Sequence, residues 1–250
     1  MTRETFLPSL HTKIVRAWIS LEGICWWGLV SYSISMTATE RDEFSNARQV
    51  FSDLLDDFRA QGLLRKGTPK DQRSRLSRMW SQSRQFGQAF NAIFKIFDTA
   101  EQVKAFAVRN KVDGIDEEVL TGSLLNQAIG VFLYDIETLF KTSLLFFLVE
   151  KQGLKRRMEI GPLVNTIISI SPAVGPKLKP LIDLELRNAL AHGAFWFESG
   201  GEVYMAENSY LDNPKNLKFY QFLIRTKRQN IVAHAFIDTL VEKVNQGYFT

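Results

Sequence analysis

Four residues near the C-terminal third of the chain have the types and spacing for phosphoryl-transfer chemistry: Arg187, Asn188, His192 and Gly193, in the run Arg-Asn-Ala-Leu-Ala-His-Gly. An arginine guanidinium can grip a phosphate through two parallel hydrogen bonds. A histidine imidazole both accepts and donates protons near neutrality. Acting on RNA, His192 would take the proton of a ribose 2′-OH or protonate the leaving oxygen. Arg187 would stabilise charge on the pentavalent phosphorus. Asn188 would orient His192 or hold a phosphate oxygen. The products would be a 2′,3′-cyclic phosphate and a 5′-hydroxyl, and DNA, which lacks the 2′-OH, would resist.

The spacing sets a condition on the fold. On a regular helix five residues turn through about 500°, which leaves Arg187 and His192 about 140° apart. They share a site only if the helix ends at Gly193 and frees His192 as a cap residue, if a second subunit supplies the partner residue, or both. Asn188 and His192, four apart, are neighbours on one helix face.

The elements that must position these residues read as helices almost throughout. A first helix is expected from Ser9, with Ile14, Trp18, Leu21 and Cys25 on its apolar stripe. A second is expected from Thr39, with Thr39 and Asp42 as its capping signal, an apolar stripe through Phe44, Ala47, Phe51, Leu54 and Phe58, and Gly62 as its stop. After the basic linker Arg65-Lys66-Gly67, Thr68 and Pro69 open a helix that carries Arg73, Arg75, Arg78 and Arg84 and then Phe86, Phe90, Ile93, Phe94 and Phe97. A short helix from Thr99 to Asn110 follows.

The Gly- and acid-rich stretch 112–122 is the expected boundary, dividing residues 1–115, an N-terminal helical region, from a domain over 116–250. The longest helix is expected from Thr121 to Glu150, with Ile129, Phe132, Ile136, Leu139, Phe140, Leu144 and Phe147 on a wide apolar face. Glu137 and Lys141 form an exposed pair on it. A short helix over Leu163–Ile170 and the prolines Pro172, Pro176 and Pro180 lead to the motif helix, expected from Pro180 to His192. Two aromatic and β-branched runs, Phe195–Phe197 and Val203–Met205, flank Gly200-Gly201 and predict a β-hairpin. A last helix is expected from Leu217 to Val244.

Composition sets the class. The charge of +4 and pI of 9.1 lean toward anionic partners. The single cysteine, Cys25, excludes an internal disulfide and any cysteine zinc spacing. It suits a reducing compartment, so a cytoplasmic protein is expected. Three dispersed histidines form no ligand cluster, and no metal or cofactor is expected. The uncharged run from Gly23 to Thr39 carries too many Ser and Thr residues for a membrane span and reads as a buried helix.

The motif resembles that of the HEPN superfamily (higher eukaryotes and prokaryotes nucleotide-binding): Arg, four to six residues, then His, with a polar residue after the Arg. At about 5% usage per residue type, Arg, Asn, His and Gly in this register are expected well under once in a hundred chains of this length. The resemblance spans 116–250. It implies a mainly all-α fold, an antiparallel four-helix bundle with a short β-hairpin after the motif helix. It further implies a metal-independent endoribonuclease, working as a homodimer whose paired motifs meet in a cleft. A toxin or antiphage role with an antitoxin or other regulatory partner follows from the same likeness.

Other readings stand beside it. The domain could be a non-catalytic RNA- or nucleotide-binding or protein-interaction module, or a helical scaffold in which Arg187 and His192 are a plain helix-end charge and cap. Arg73, Arg75, Arg78, Arg156 and Arg157 are either solvated faces or an RNA-backbone track, and Arg225, Lys227 and Arg228 raise the same choice. His234, in an apolar run, reads as a core or interface histidine and His11 as solvated. Phe195-Trp196-Phe197 reads as hairpin packing before a base-stacking platform.

Overall fold

The computed structural model describes residues 36–67, 70–79, 81, 82, 85, 88, 117–198, 202–206 and 213–250. The helices expected from Ser9 and Thr99, and His11, Cys25, Arg84 and Gly200-Gly201, lie outside the described residues. The chain divides into two compact units, Met1–Asp42 and Glu43–Thr250.

The described elements are, in order, α1 (Ala38–Ala60), α2 (residues 70–79), α3, α4 (Ile160–Ile170), α5 (Gly175–Leu178, passing into the 3-10 turn Lys179–Leu181), α6 (Leu184–Ala191), β1 (Phe195–Glu198), β2 (Glu202–Met205), β3 (Lys215–Lys218) and α7 (Phe219–Asn245). Helix α3 is continuous through three parts: Glu117–Leu133, a π-helical stretch Tyr134–Thr142, and Ser143–Phe147. The fold is thus mainly helical with one small antiparallel sheet.

Helix α1 starts one residue before Thr39. Its capping box is Thr37 with Glu40: the Thr37 N–H donates to Glu40 Oε2 at 2.8 Å and the Glu40 N–H to Thr37 Oγ1 at 3.3 Å. The longer Glu side chain reaches back over the turn. The helix ends as expected at Gly62, whose φ of +67° lets the Leu63 N–H reach the Phe58 carbonyl at 2.8 Å.

The core of the second unit forms where α1, α3 and α7 meet. Phe51, Phe140 and Phe236 are fully buried, with ring centroids 5.0 to 5.8 Å apart in tilted and edge-on contacts. Residues on both sides of the expected boundary at 115 and 116 therefore share one core. Arg65 continues this packing: its N–H donates to the Phe147 carbonyl at 2.7 Å and the Val149 N–H to the Leu63 carbonyl at 2.9 Å.

The π stretch in α3 departs from the regular helix expected there. Its wide turns are matched by hydroxyls that reach back five residues: Thr142 Oγ1 donates to the Glu137 carbonyl at 2.7 Å and Ser143 Oγ to the Thr138 carbonyl at 3.2 Å. The expected face is nonetheless the buried one, with Phe132, Ile136, Leu139, Phe140 and Leu144 at 0% exposure.

The expected hairpin is present as β1 and β2, paired antiparallel with Trp196 opposite Tyr204, and β3 adds a third strand with Leu217 opposite Val203. The last helix consequently begins at Phe219 rather than Leu217. The inner face packs Phe195 on Phe222 of α7 at 5.3 Å, and Trp196 stacks on Tyr204 on the other face at 5.4 Å. Among the described residues no helix is long and apolar enough to cross a membrane.

Candidate functional site

The motif helix α6 is short and fixed at both ends. It begins at Leu184, not Pro180, because Asp183 caps it: Asp183 Oδ1 accepts the Leu186 N–H at 3.1 Å. Helix α7 holds that cap in place. The Arg225 guanidinium forks onto Asp183, Nε to Oδ2 at 2.6 Å and Nη2 to Oδ1 at 2.5 Å, and the Asp183 N–H donates to Gln229 Oε1 at 3.0 Å. Arg225 is therefore a positioning residue rather than part of a free basic track, and Arg228 pairs with Glu43. Leu186 and Ala189 bury the inner face of α6.

At the other end the helix stops at Gly193, as expected. With Gly193 at φ +67°, the Ala194 N–H closes on the Ala189 carbonyl at 2.8 Å and the His192 N–H on the Asn188 carbonyl at 3.0 Å. His192 becomes the cap residue, at φ −101° and ψ 6°, and is exposed. A Cβ on Gly193 would meet nothing within 4 Å. Gly193→Ala is therefore expected to cost only the left-handed backbone penalty, about 1–2 kcal/mol, read as a lower urea midpoint.

Arg187 sits at the junction of three helices. Its Nε donates to Glu137 Oε1 of α3 at 2.6 Å, its Nη2 to Glu159 Oε2 at the start of α4 at 2.9 Å, and its Nη1 to Asn188 Oδ1 at 3.2 Å. The side chain is 11% exposed. Glu137 also binds Lys141. Glu137 and Lys141 are thus a pair, as their spacing indicates, but not the exposed surface pair expected: both are half-buried, and Arg187 of α6 reaches Glu137. Burial works to raise the Glu137 carboxyl, yet the hydrogen bonds and charges of Lys141 and Arg187 outweigh it and hold it below the usual range. Asn188 is exposed and faces Arg187, and no hydrogen bond joins Arg187 to His192 within one chain.

Beside this junction lies a cleft of about 590 Å³ lined by Arg75, Lys141, Arg156 and Arg157, with Glu159 its one carboxylate among the described residues. Three of the expected RNA-binding residues, Arg75, Arg156 and Arg157, thus converge, whereas Arg73 and Arg78 are exposed on α2 and do not line it. Sequence reasoning did not single out Glu159 or Asp183. Asp183 ahead of Leu184 carries a readable N-cap signal; Glu159 carries none. His234 is half-buried on α7, and burial pushes its imidazole down to about 4. Among the described residues no group of three or more His, Cys, Asp or Glu side chains converges as a metal site.

No family model, no curated protein and no solved structure matches this chain.

Proposed function

We propose that this chain is a metal-independent endoribonuclease of HEPN type, with Arg187 and His192 as its catalytic pair, Asn188 as their orienting neighbour, and a homodimer as its working form. In this reading α3, α4, α6 and α7 are the four helices of the HEPN-like bundle. The observation that carries it is the end of α6. The turn at Gly193 leaves His192 exposed at the helix terminus, while one turn back Arg187 is held in part by Glu159, which borders a basic cleft. His192 exchanges protons with the 2′-OH or the leaving oxygen. A second subunit brings its own His192 toward Arg187. A toxin or antiphage role with an antitoxin partner rests on the resemblance of the motif.

One observation favours a second reading, a non-catalytic HEPN-like module that binds RNA or nucleotide. Two carboxylates already occupy Arg187. The test is incubation of the purified chain with single-stranded and structured RNA in EDTA, with end-group analysis. Cleavage to 2′,3′-cyclic phosphate and 5′-hydroxyl ends, abolished by a 2′-deoxy residue at the cut, is the expected result. Intact RNA throughout, or a strictly monomeric sedimentation profile, defeats the shared-site ribonuclease.

A further inference from the structure

The basic cleft has features that the catalytic pair alone does not explain. Its cations come from three separate segments: Arg75 from α2, Lys141 from the π stretch of α3, and Arg156 and Arg157 from the turn before α4. Lys141 is paired with Glu137, but Arg156 and Arg157 are exposed and make no ion pair among the described residues. Arg75 is under electrostatic pressure: burial and the neighbouring Arg78 both push its guanidinium below the usual range. Its Nε is buried and donates to no described residue. Its guanidinium lies over the Phe146 ring, 4.0 Å from the centroid. Stacking fixes the plane of the fork while leaving its edges as donors.

Gathering Arg75, Arg156 and Arg157 beside Lys141, which Glu137 already neutralises, costs free energy in the empty cleft, and low-dielectric walls focus the resulting field on an anion. Arginine forks match phosphate oxygens in pairs. The apolar part of the lining, Leu145, Phe146 and Met158, offers a surface for ribose and base edges.

We infer that this cleft is a phosphate-binding site for a single-stranded polynucleotide, and that Glu159 is the group a bound strand displaces from Arg187. The identity of the strand as RNA rests on the proposed ribonuclease reading; the phosphate chemistry does not. Glu159 faces both ways. It lines the cleft and also holds Arg187 Nη2, with its own side chain 70% exposed. A phosphate seated among Arg75, Arg156 and Arg157 repels that carboxylate and weakens its hold on Arg187. Loading the cleft therefore releases one edge of the Arg187 guanidinium toward the strand. In the empty state Glu159 shields Arg187.

The test is fluorescence anisotropy of a labelled 12-nucleotide single-stranded RNA, on the full chain carrying His192→Ala so that no cleavage intervenes. DNA of the same sequence, a nucleoside monophosphate and inorganic pyrophosphate are run as further arms. Arg156→Ala/Arg157→Ala is expected to weaken RNA and DNA binding about tenfold or more and to reduce the salt slope by about 0.7 for each phosphate no longer neutralised. Glu159→Gln is expected to tighten binding roughly threefold by removing a like charge. Glu159 makes no capping hydrogen bond to α4, so this change reads charge and not helix stability. Circular dichroism melts confirm that each variant is folded.

Unchanged affinity and slope in the double variant overturn the site. Weaker binding by Glu159→Gln overturns its role as the displaced group. Displacement of the RNA by monophosphate or pyrophosphate at equal phosphate concentration assigns the cleft to a small anion and overturns the strand. A strand that binds as described but is never cut by the parent chain leaves this site standing and removes only the ribonuclease reading.

Discussion

His192→Ala is expected to slow RNA cleavage by about 10²–10⁴-fold with no change in urea midpoint, whereas Arg187→Ala is expected to lower both. The contrast follows from where the two side chains sit. His192 is exposed at the end of α6 and its ring makes no hydrogen bond to a described residue, so truncation removes little packing, and on the proposed ribonuclease reading its effect falls on the reaction. Arg187 is mostly buried and ties α6 to Glu137 of α3 and Glu159 of α4. Its loss leaves the half-buried Glu137 carboxylate with Lys141 as its remaining ion-pair partner. Losing a charge-assisted hydrogen bond to a half-buried carboxylate that keeps a second cation costs about 2 kcal/mol. The exposed Glu159 contact adds at most about 1 kcal/mol. Glu137, not Glu159, therefore dominates the structural share. The double variant Arg187→Met/Glu137→Gln relieves the stranded carboxylate and is expected to regain most of that stability while remaining inactive. Urea unfolding and single-turnover cleavage measured side by side separate the two roles. A double variant that cuts at the parent's rate makes Arg187 a strut and nothing more, and a His192→Ala chain that cuts at that rate takes the imidazole out of the mechanism.

What could be read ahead of the structure was local. Gly62 and Gly193 announce helix ends because a left-handed residue is needed there and glycine adopts it without strain. The stripe from Phe132 to Phe147 announces a buried helix face. The details that failed depend on reach or on distant partners. Thr37 and Thr39 both precede acidic residues at the capping spacing, and only the longer Glu40 completes the box. Strand β3 has a single apolar residue, Leu217, among Lys215, Asn216 and Lys218, so alternation is too weak to register; β2 supplies the pairing. The π stretch was hidden because its apolar residues fit either period. The least legible feature of the site was the setting of Arg187. Glu137 four residues before Lys141 has the signature of a solvated pair, and only Arg187, reaching across from α6, makes it a half-buried anchor. Glu159 and Arg225 come from far along the chain, beyond what any spacing rule reaches.

Between pH 6.5 and 8 the parent chain is expected to lose stability, and Asp135→Asn is expected to lose much less. Asp135 lies on the π stretch at 0% exposure. Its Oδ2 accepts from Asn230 Nδ2 at 2.9 Å, and its Oδ1 is buried with no partner among the described residues. Burial pushes the carboxyl up to about 8, although the Asn230 hydrogen bond pulls the other way. The native state thus keeps a proton that the unfolded chain releases near its ordinary value of 3.8. From there to about pH 8 the native state binds more protons than the unfolded one, so stability falls as pH rises, by about 1.4 kcal/mol per unit at most, and then levels. Two other groups overlap the lower part of that interval. Asp238, raised by burial to about 6, acts in the same direction and is spent by then. His234, lowered to about 4, acts in the opposite direction, is half its full strength at its unfolded value of 6.5 and fades within about a unit above it. The interval from 6.5 to 8 belongs chiefly to Asp135. Asparagine keeps the acceptor that Asn230 uses and cannot ionise. Urea midpoints at half-unit steps decide the matter, and parallel curves for parent and variant would falsify the assignment. Two residues further along the same stretch, Glu137 is held ionised by Lys141 and Arg187. One π segment thus keeps a protonated carboxyl facing the core and a charged one facing the motif helix, and the charged one sets where Arg187 stands.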